Sequence, residues 1–177
     1  SPRNLRLRRE AYSDFAASQH GLPGPIADAL PDGWGMLVMD RLFRSEGRNP
    51  TDISPLDRLA FIGQRAIGAL TFEPAARESL AVEDVQLLRL AQQAREALSD
   101  GGTAVLRKLA VLGGSPHGAR PKALVQYNAH SGDMSTDPAA PGTPWLVKFQ
   151  AKNEHKEVCA IENAYAELAR RCGLPVP

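Results

Sequence analysis

The stretch Trp145-Leu146-Val147-Lys148-Phe149-Gln150 decides how the second half of the chain is read. Trp145, Val147 and Phe149 fall on one face and Leu146, Lys148 and Gln150 on the other, the two-residue period of a strand. Lys148 thereby stands in mid-strand with apolar neighbours on both sides, and a central-strand ammonium is costly unless an anion meets it. Downstream, Val158, Ile161, Tyr165, Leu168 and Cys172 recur at helical intervals. The spacing predicts a helix from about Glu154 to Cys172 with those residues as its buried stripe. Gly173 stops it, and Pro175 and Pro177 prevent resumption. Glu162 flanks the apolar face of this helix rather than facing water.

Upstream of the strand, Gly113-Gly114-Ser115-Pro116-His117-Gly118-Ala119-Arg120-Pro121-Lys122 is rich in glycine, and Ala123 to Tyr127 alternates like a second strand. Such glycines let backbone N–H groups approach a ligand closely and could hold phosphate oxygens. The segment is not a P-loop, because no Gly-Lys-Ser/Thr follows the last glycine. It does not fit the dinucleotide fingerprint either, since Pro121 and a β-like run follow where a helix should begin. A Gly/Pro-rich turn without chemistry has the same composition. A strand lysine steadied by a helix glutamate under a glycine-rich loop is how protein kinases position ATP phosphates. A snorkelling lysine and a solvated glutamate share that spacing.

The first half reads as helical with a short strand pair. Ile26 to Leu30 gives a brief helix that Pro31-Asp32-Gly33 interrupts, and Trp34, Leu37, Val38, Arg41 and Leu42 recur on one helical face. Ser54-Pro55-Leu56-Asp57 has the form of a capping box with Pro in the first turn. Gly63 and Gly68 flank a turn, and Ala69 to Phe72 is β-like before Glu73-Pro74. A further helix is predicted from Glu83 to Leu98, ended by Ser99-Asp100-Gly101-Gly102, with a boundary between subdomains at Arg77 to Val82. After Tyr127 comes a polar loop of about sixteen residues, long for a hairpin.

The composition narrows the function. The 177 residues are 43% hydrophobic and 23% charged, globular proportions that argue against wholesale disorder. A net charge of +1 excludes a strong non-specific grip on nucleic acid as the main activity. The apolar runs are far too short for a membrane span, and Ser1-Pro2-Arg3-Asn4 opens no signal peptide. Without an initiator Met, the chain reads as a piece of something longer. Cys159 and Cys172 lie roughly 20 Å apart along one predicted helix and cannot bridge each other, so a reducing, cytoplasmic setting follows. His20, His117, His130 and His155 are dispersed, with no metal-ligand spacing.

Ser115-Pro116-His117-Gly118-Ala119-Arg120-Pro121-Lys122 resembles the S-x-x-G-A-x-x-K loop of the HipA family. Trp145-Leu146-Val147-Lys148-Phe149 is similar to that family's ATP-lysine strand, and Ile161-Glu162-Asn163 through Pro177 to the following helix and exit. Leu30-Pro31-Asp32-Gly33-Trp34-Gly35 and Ile67-Gly68-Ala69-Leu70 resemble its amino-terminal subdomain. The resemblance implies an α+β fold: a helical and β subdomain over residues 1–80, its opening strands missing, then a kinase-like small lobe of antiparallel sheet plus helix over 81–177. It implies a bacterial toxin–antitoxin serine/threonine kinase using ATP and Mg. Nucleotide contacts would come from Gly113, Gly114, Ser115, His117, Gly118, Ala119, Lys148 and Glu162, and Ser115 would be an autophosphorylation site that shuts the kinase off. Implied partners are a helix-turn-helix, HipB-like antitoxin, DNA indirectly through it, and a protein substrate of the translation machinery; no membrane is implied.

Two features depart from the family pattern: Pro116 stiffens the loop, and Arg120-Pro121 replaces more acidic or amide residues. No H-x-D or D-F-G-like stretch occurs, so no catalytic residue is expected in this chain, and the metal ligands would lie in a carboxy-terminal lobe after Pro177. Two other readings compete: a non-catalytic module that docks on an antitoxin or a separate kinase subunit, and a degenerate homologue that keeps the fold without nucleotide binding.

Overall fold

The computed structural model describes residues 9, 11–76, 89, 92–93, 102–113, 117–137, 139–151 and 153–176. Among the described residues, α-helices precede and follow a small antiparallel sheet, in an α+β arrangement. The helices are α1 (Gly24–Ala27), α2 (Gly33–Ser45), α3 (Pro55–Ile62), α4 (Thr103–Gly113) and α5 (Val158–Arg171). The strands are β1 (Lys122–Tyr127), β2 (Met134–Ser135) and β3 (Thr143–Lys148), in the order β2-β1-β3.

Local sequence explains the early helices. The Ser54 hydroxyl accepts from the Asp57 N–H at 3.1 Å, and the Asp57 carboxylate accepts from the Ser54 N–H at 2.9 Å. That reciprocal box, with Pro55 in the first turn, starts α3 as the sequence predicts. Helix α2 buries Trp34, Val38, Met39, Leu42 and Phe43. Leu37 and Arg41 sit beside this stripe, only partly covered. Helix α4 packs across α2 and contributes Leu106, Leu109, Ala110, Val111 and Leu112 to the same core. Phe43 and Phe61 meet edge to face, with centroids 5.7 Å apart. Ala123 and Val125 of β1 and Phe149 just after β3 close this core from the sheet side, so residues before and after the predicted boundary share it.

The register of β1 and β3 places Lys122 opposite Lys148, Leu124 opposite Leu146 and Val125 opposite Trp145. Ala123, Val125 and Val147 therefore face the core, while Lys122, Leu124, Leu146 and Lys148 share the other face.

Four expectations are corrected. Ala69 to Phe72 forms no strand; among the described residues all strand pairing lies within 122–148. The segment ties back to the α3 region instead, with the Phe72 N–H donating to the Gly63 carbonyl at 3.1 Å and the Ala76 N–H to the Ala60 carbonyl at 2.8 Å. The long polar loop contains a strand, β2, whose two residues the surrounding turn-formers disguised. Lys148 is the last residue of β3, and β3 is an edge strand, so its ammonium is half exposed rather than buried in mid-sheet. The helix after it begins at Val158, and the predicted buried stripe is exposed: Ile161, Tyr165 and Leu168 are 48%, 71% and 56% accessible. The inward side of α5 is the adjacent line of Val158, Glu162, Ala166 and Ala169, where small residues permit approach and Glu162 supplies the attachment. The helix predicted from Glu83 to Leu98 and the boundary at Arg77 to Val82 lie outside the described residues, apart from Arg89, Gln92 and Gln93, which are helical.

Candidate functional site

The sheet face opposite the core carries a concentrated set of charges. Lys148 at the end of β3 donates to the Glu162 carboxylate on α5. Arg120, in the turn before β1, donates to the other oxygen of the same carboxylate. Its Nε also lies 3.3 Å from Glu154, a charge contact without hydrogen-bond alignment, and Nη2 lies 3.4 Å from Cys159 Sγ. Glu162 is thus clasped by two cations from different segments. The Lys148 hydrogen bond, with the charges of Lys148 and Arg120, holds its carboxyl below the ordinary value of 4.5 against a smaller opposing effect of burial. Burial alone would lower the Arg120 pKa; the facing Glu154 and Glu162 carboxylates outweigh it and raise the value.

Lys122, in the first position of β1, is a buried cation, 3% accessible. It donates to the carbonyls of His117 and Gly118, the latter at 3.0 Å, so its ammonium is satisfied by loop backbone rather than by a carboxylate. Burial lowers its pKa, Asp32 opposes that shift, and Lys148 and Arg120 reinforce it.

The expected site residues separate into three groups. Lys148 and Glu162 come together as anticipated. Gly113 ends α4, while Gly114 and Ser115 lie outside the described residues. His117, Gly118 and Ala119 form an exposed turn beside Lys122. His117 Nε2 lies 2.7 Å from the Asp28 carbonyl oxygen and Nδ1 lies 3.6 Å from the Asp32 carboxylate. Sequence reasoning missed Arg120, Glu154 and Asp32 as members of the cluster. Neither Glu154, which precedes α5, nor Asp32 carried a local signal, because their contacts are formed by the fold.

A groove lies beside the sheet, lined by Arg65, Leu112, Leu124, Val125, Gln126 and Thr136 among others. It includes neither Lys148 nor Glu162, and with Arg65 as the charged residue of its lining it offers no comparable charge arrangement. Among the described residues no group of three or more His, Cys, Asp or Glu could hold a metal ion, and no helix is long and apolar enough to cross a membrane.

The residues that build α1, α2, α3 and the segment after them match a family model. Residues 1–73 match the model described as the HipA N-terminal domain. Over these residues the chain is similar to the HipA N-terminal domain. No curated protein and no solved structure matches the chain. The matched segment supplies Asp28, Asp32 and Trp34 to the surroundings of the glycine-rich loop. Lys148, Glu162, Arg120 and Lys122 lie beyond its last matched residue.

Proposed function

We propose that the chain is the amino-terminal part of a HipA-like toxin serine/threonine kinase and that the outer face of its sheet receives ATP. The observation that carries this reading is the meeting of Lys148 and Glu162 from successive elements, strand and helix, beside the glycine-rich turn. A glutamate that neutralises a strand-end lysine fixes where the ammonium points, so a polyphosphate meets a positioned cation rather than a sweeping side chain. Leu146, 41% accessible, shares that face with Lys148 and Leu124, giving an apolar patch on which a nucleobase can lie.

Magnesium supplies charge neutralisation of the transferring phosphate when bound. In this reading its ligands and the catalytic Asp and Asn belong to a carboxy-terminal lobe, and this chain's own residues bind and orient the nucleotide. In this reading the phosphates are received by His117, Gly118 and Ala119 and by Gly113 at the end of α4, with Gly114 and Ser115 assigned to the same contact from the sequence. Ser115 is the regulatory phosphosite, where roughly two added negative charges would repel ATP. The partners proposed are a HipB-like antitoxin, with DNA reached through it, and a protein substrate of the translation machinery. The location proposed is cytoplasmic, a setting with which the free thiols of Cys159 and Cys172 are compatible.

The exposed line Ile161, Tyr165 and Leu168 on α5 favours a second reading, a docking module without nucleotide chemistry. Titration calorimetry with MgATP distinguishes the two. Saturable binding weakened by Lys148→Ala supports the kinase reading, and absence of heat with retained antitoxin binding supports the module. In the intact kinase, Ser115→Glu should depress phosphate incorporation; full activity in that variant would remove the regulatory role from Ser115.

A further inference from the structure

Asp32 occupies the N-cap position of α2, where a carboxylate ordinarily accepts from N–H groups of its own helix, yet it makes no such bond. Its Oδ1 accepts instead from the Gly118 N–H at 2.7 Å, across 86 residues of sequence. The Trp34 N–H, one of the unpaired donors of the first turn, donates to the Gly118 carbonyl at 3.1 Å. A single loop residue therefore engages the start of α2 with both its backbone groups. His117, its neighbour, meets the Asp28 carbonyl and faces the Asp32 carboxylate.

Two glycines make the approach possible. A Cβ on Gly33 would lie 2.7 Å from both the carbonyl carbon and oxygen of Gly118, and Gly33 has a φ of +41°. Gly118 itself has a φ of +105°, and a Cβ there would lie 2.8 Å from Lys122 Nζ. Gly118 is held from one side by Asp32 and Trp34 and from the other by Lys122.

We propose that Asp32, with Gly33 allowing the contact, is a positioning residue: the matched amino-terminal segment sets the conformation of the glycine-rich turn through Gly118 and thereby how phosphates are received beside Lys148. The proposal rests on the nucleotide reading above. The cap that α2 gives up is the sign of the role, because Asp32 spends its carboxylate outside its own helix.

The test follows hydrogen exchange of the Gly118 amide by NMR in the full chain and measures MgATP affinity in the same samples. Asp32→Ala should speed Gly118 exchange about tenfold or more, the loss of a hydrogen bond to a charged group, while Leu109 and Val125 stay within about twofold. The MgATP dissociation constant should rise about three- to tenfold, and Asp32→Asn, which keeps an Oδ1 acceptor, should restore both readouts. Unchanged Gly118 exchange in Asp32→Ala overturns the latch. Freed Gly118 with unchanged MgATP affinity overturns the positioning role alone. If the unsubstituted chain binds no MgATP, the nucleotide reading falls and the positioning role with it, even where Gly118 exchange still reports the contact. Should Asp32→Ala fail to fold, the scalar coupling across the hydrogen bond from Gly118 N to the Asp32 carboxyl carbon reads the contact in the unsubstituted chain: present if the latch holds, absent if it does not.

Discussion

Lys148→Ala removes the ammonium at the end of β3 and separates two consequences that a buried lysine would confound. The Lys148 and Glu162 side chains are 44% and 41% accessible, so their pairing is a solvent-screened interaction. Pairs of that kind contribute about 0–1 kcal/mol, and Glu162 keeps Arg120 as a second cation after the substitution. Trimming the lysine stem costs little more, because the residue lies at an edge and its neighbour Leu146 is itself partly exposed. The expected loss of stability in urea denaturation is therefore under about 1 kcal/mol. Nucleotide binding should suffer more. A contact between a charged donor and a phosphate contributes about 1.5–3 kcal/mol, so MgATP affinity should fall roughly 10- to 100-fold by calorimetry. Unchanged affinity would refute the role assigned to Lys148, and a stability loss above about 2 kcal/mol would refute the view of the pair as screened.

Other perturbations probe separate parts of the structure. Leu42→Ala should cost about 2–5 kcal/mol in denaturant titration, because Leu42 is fully buried between α2 and the rest of the core. Ser54→Ala removes one half of the capping box and should cost about 1 kcal/mol by the same measurement. Glu162 has a folded pKa below its ordinary 4.5, so its contribution is fully present above that value and is lost as pH falls through the lower, folded one. The stability difference between the unsubstituted chain and Glu162→Gln should accordingly shrink on acidification from neutral pH to below that range. With the side chain 41% accessible, the difference at neutral pH should stay within about 1 kcal/mol.

Much of this architecture was written in local pattern. The capping box at Ser54, the helix α2 and the strands β1 and β3 are all written in a few neighbouring residues, and the structure forms each of them, although Leu37 of the predicted α2 line and Trp145 of β3 are exposed. Misreadings arose where pattern reports periodicity but not partnership. Ile161, Tyr165 and Leu168 have the spacing of a buried stripe, and nothing in the spacing shows that the described chain puts its small-residue line inward instead. Alternation around Lys148 likewise marks a strand without telling edge from centre, which depends on the order β2-β1-β3. The Lys148–Glu162 pair was legible because strand and helix are consecutive. Arg120 joining it, and Asp32 reaching Gly118, depend on chain segments brought together by the core, and sequence spacing carries no trace of them.

The central claim is that nucleotide phosphates meet the outer face of the sheet at Lys148. An NMR titration of the full chain with MgATP tests it most directly. The account predicts saturable shifts at Gly118, Lys122, Leu146, Lys148 and Glu162, with Leu42 and Leu109 in the core and Tyr165 on the outer side of α5 left unmoved. Absence of shifts, or shifts confined to Tyr165 and its neighbours, would contradict it.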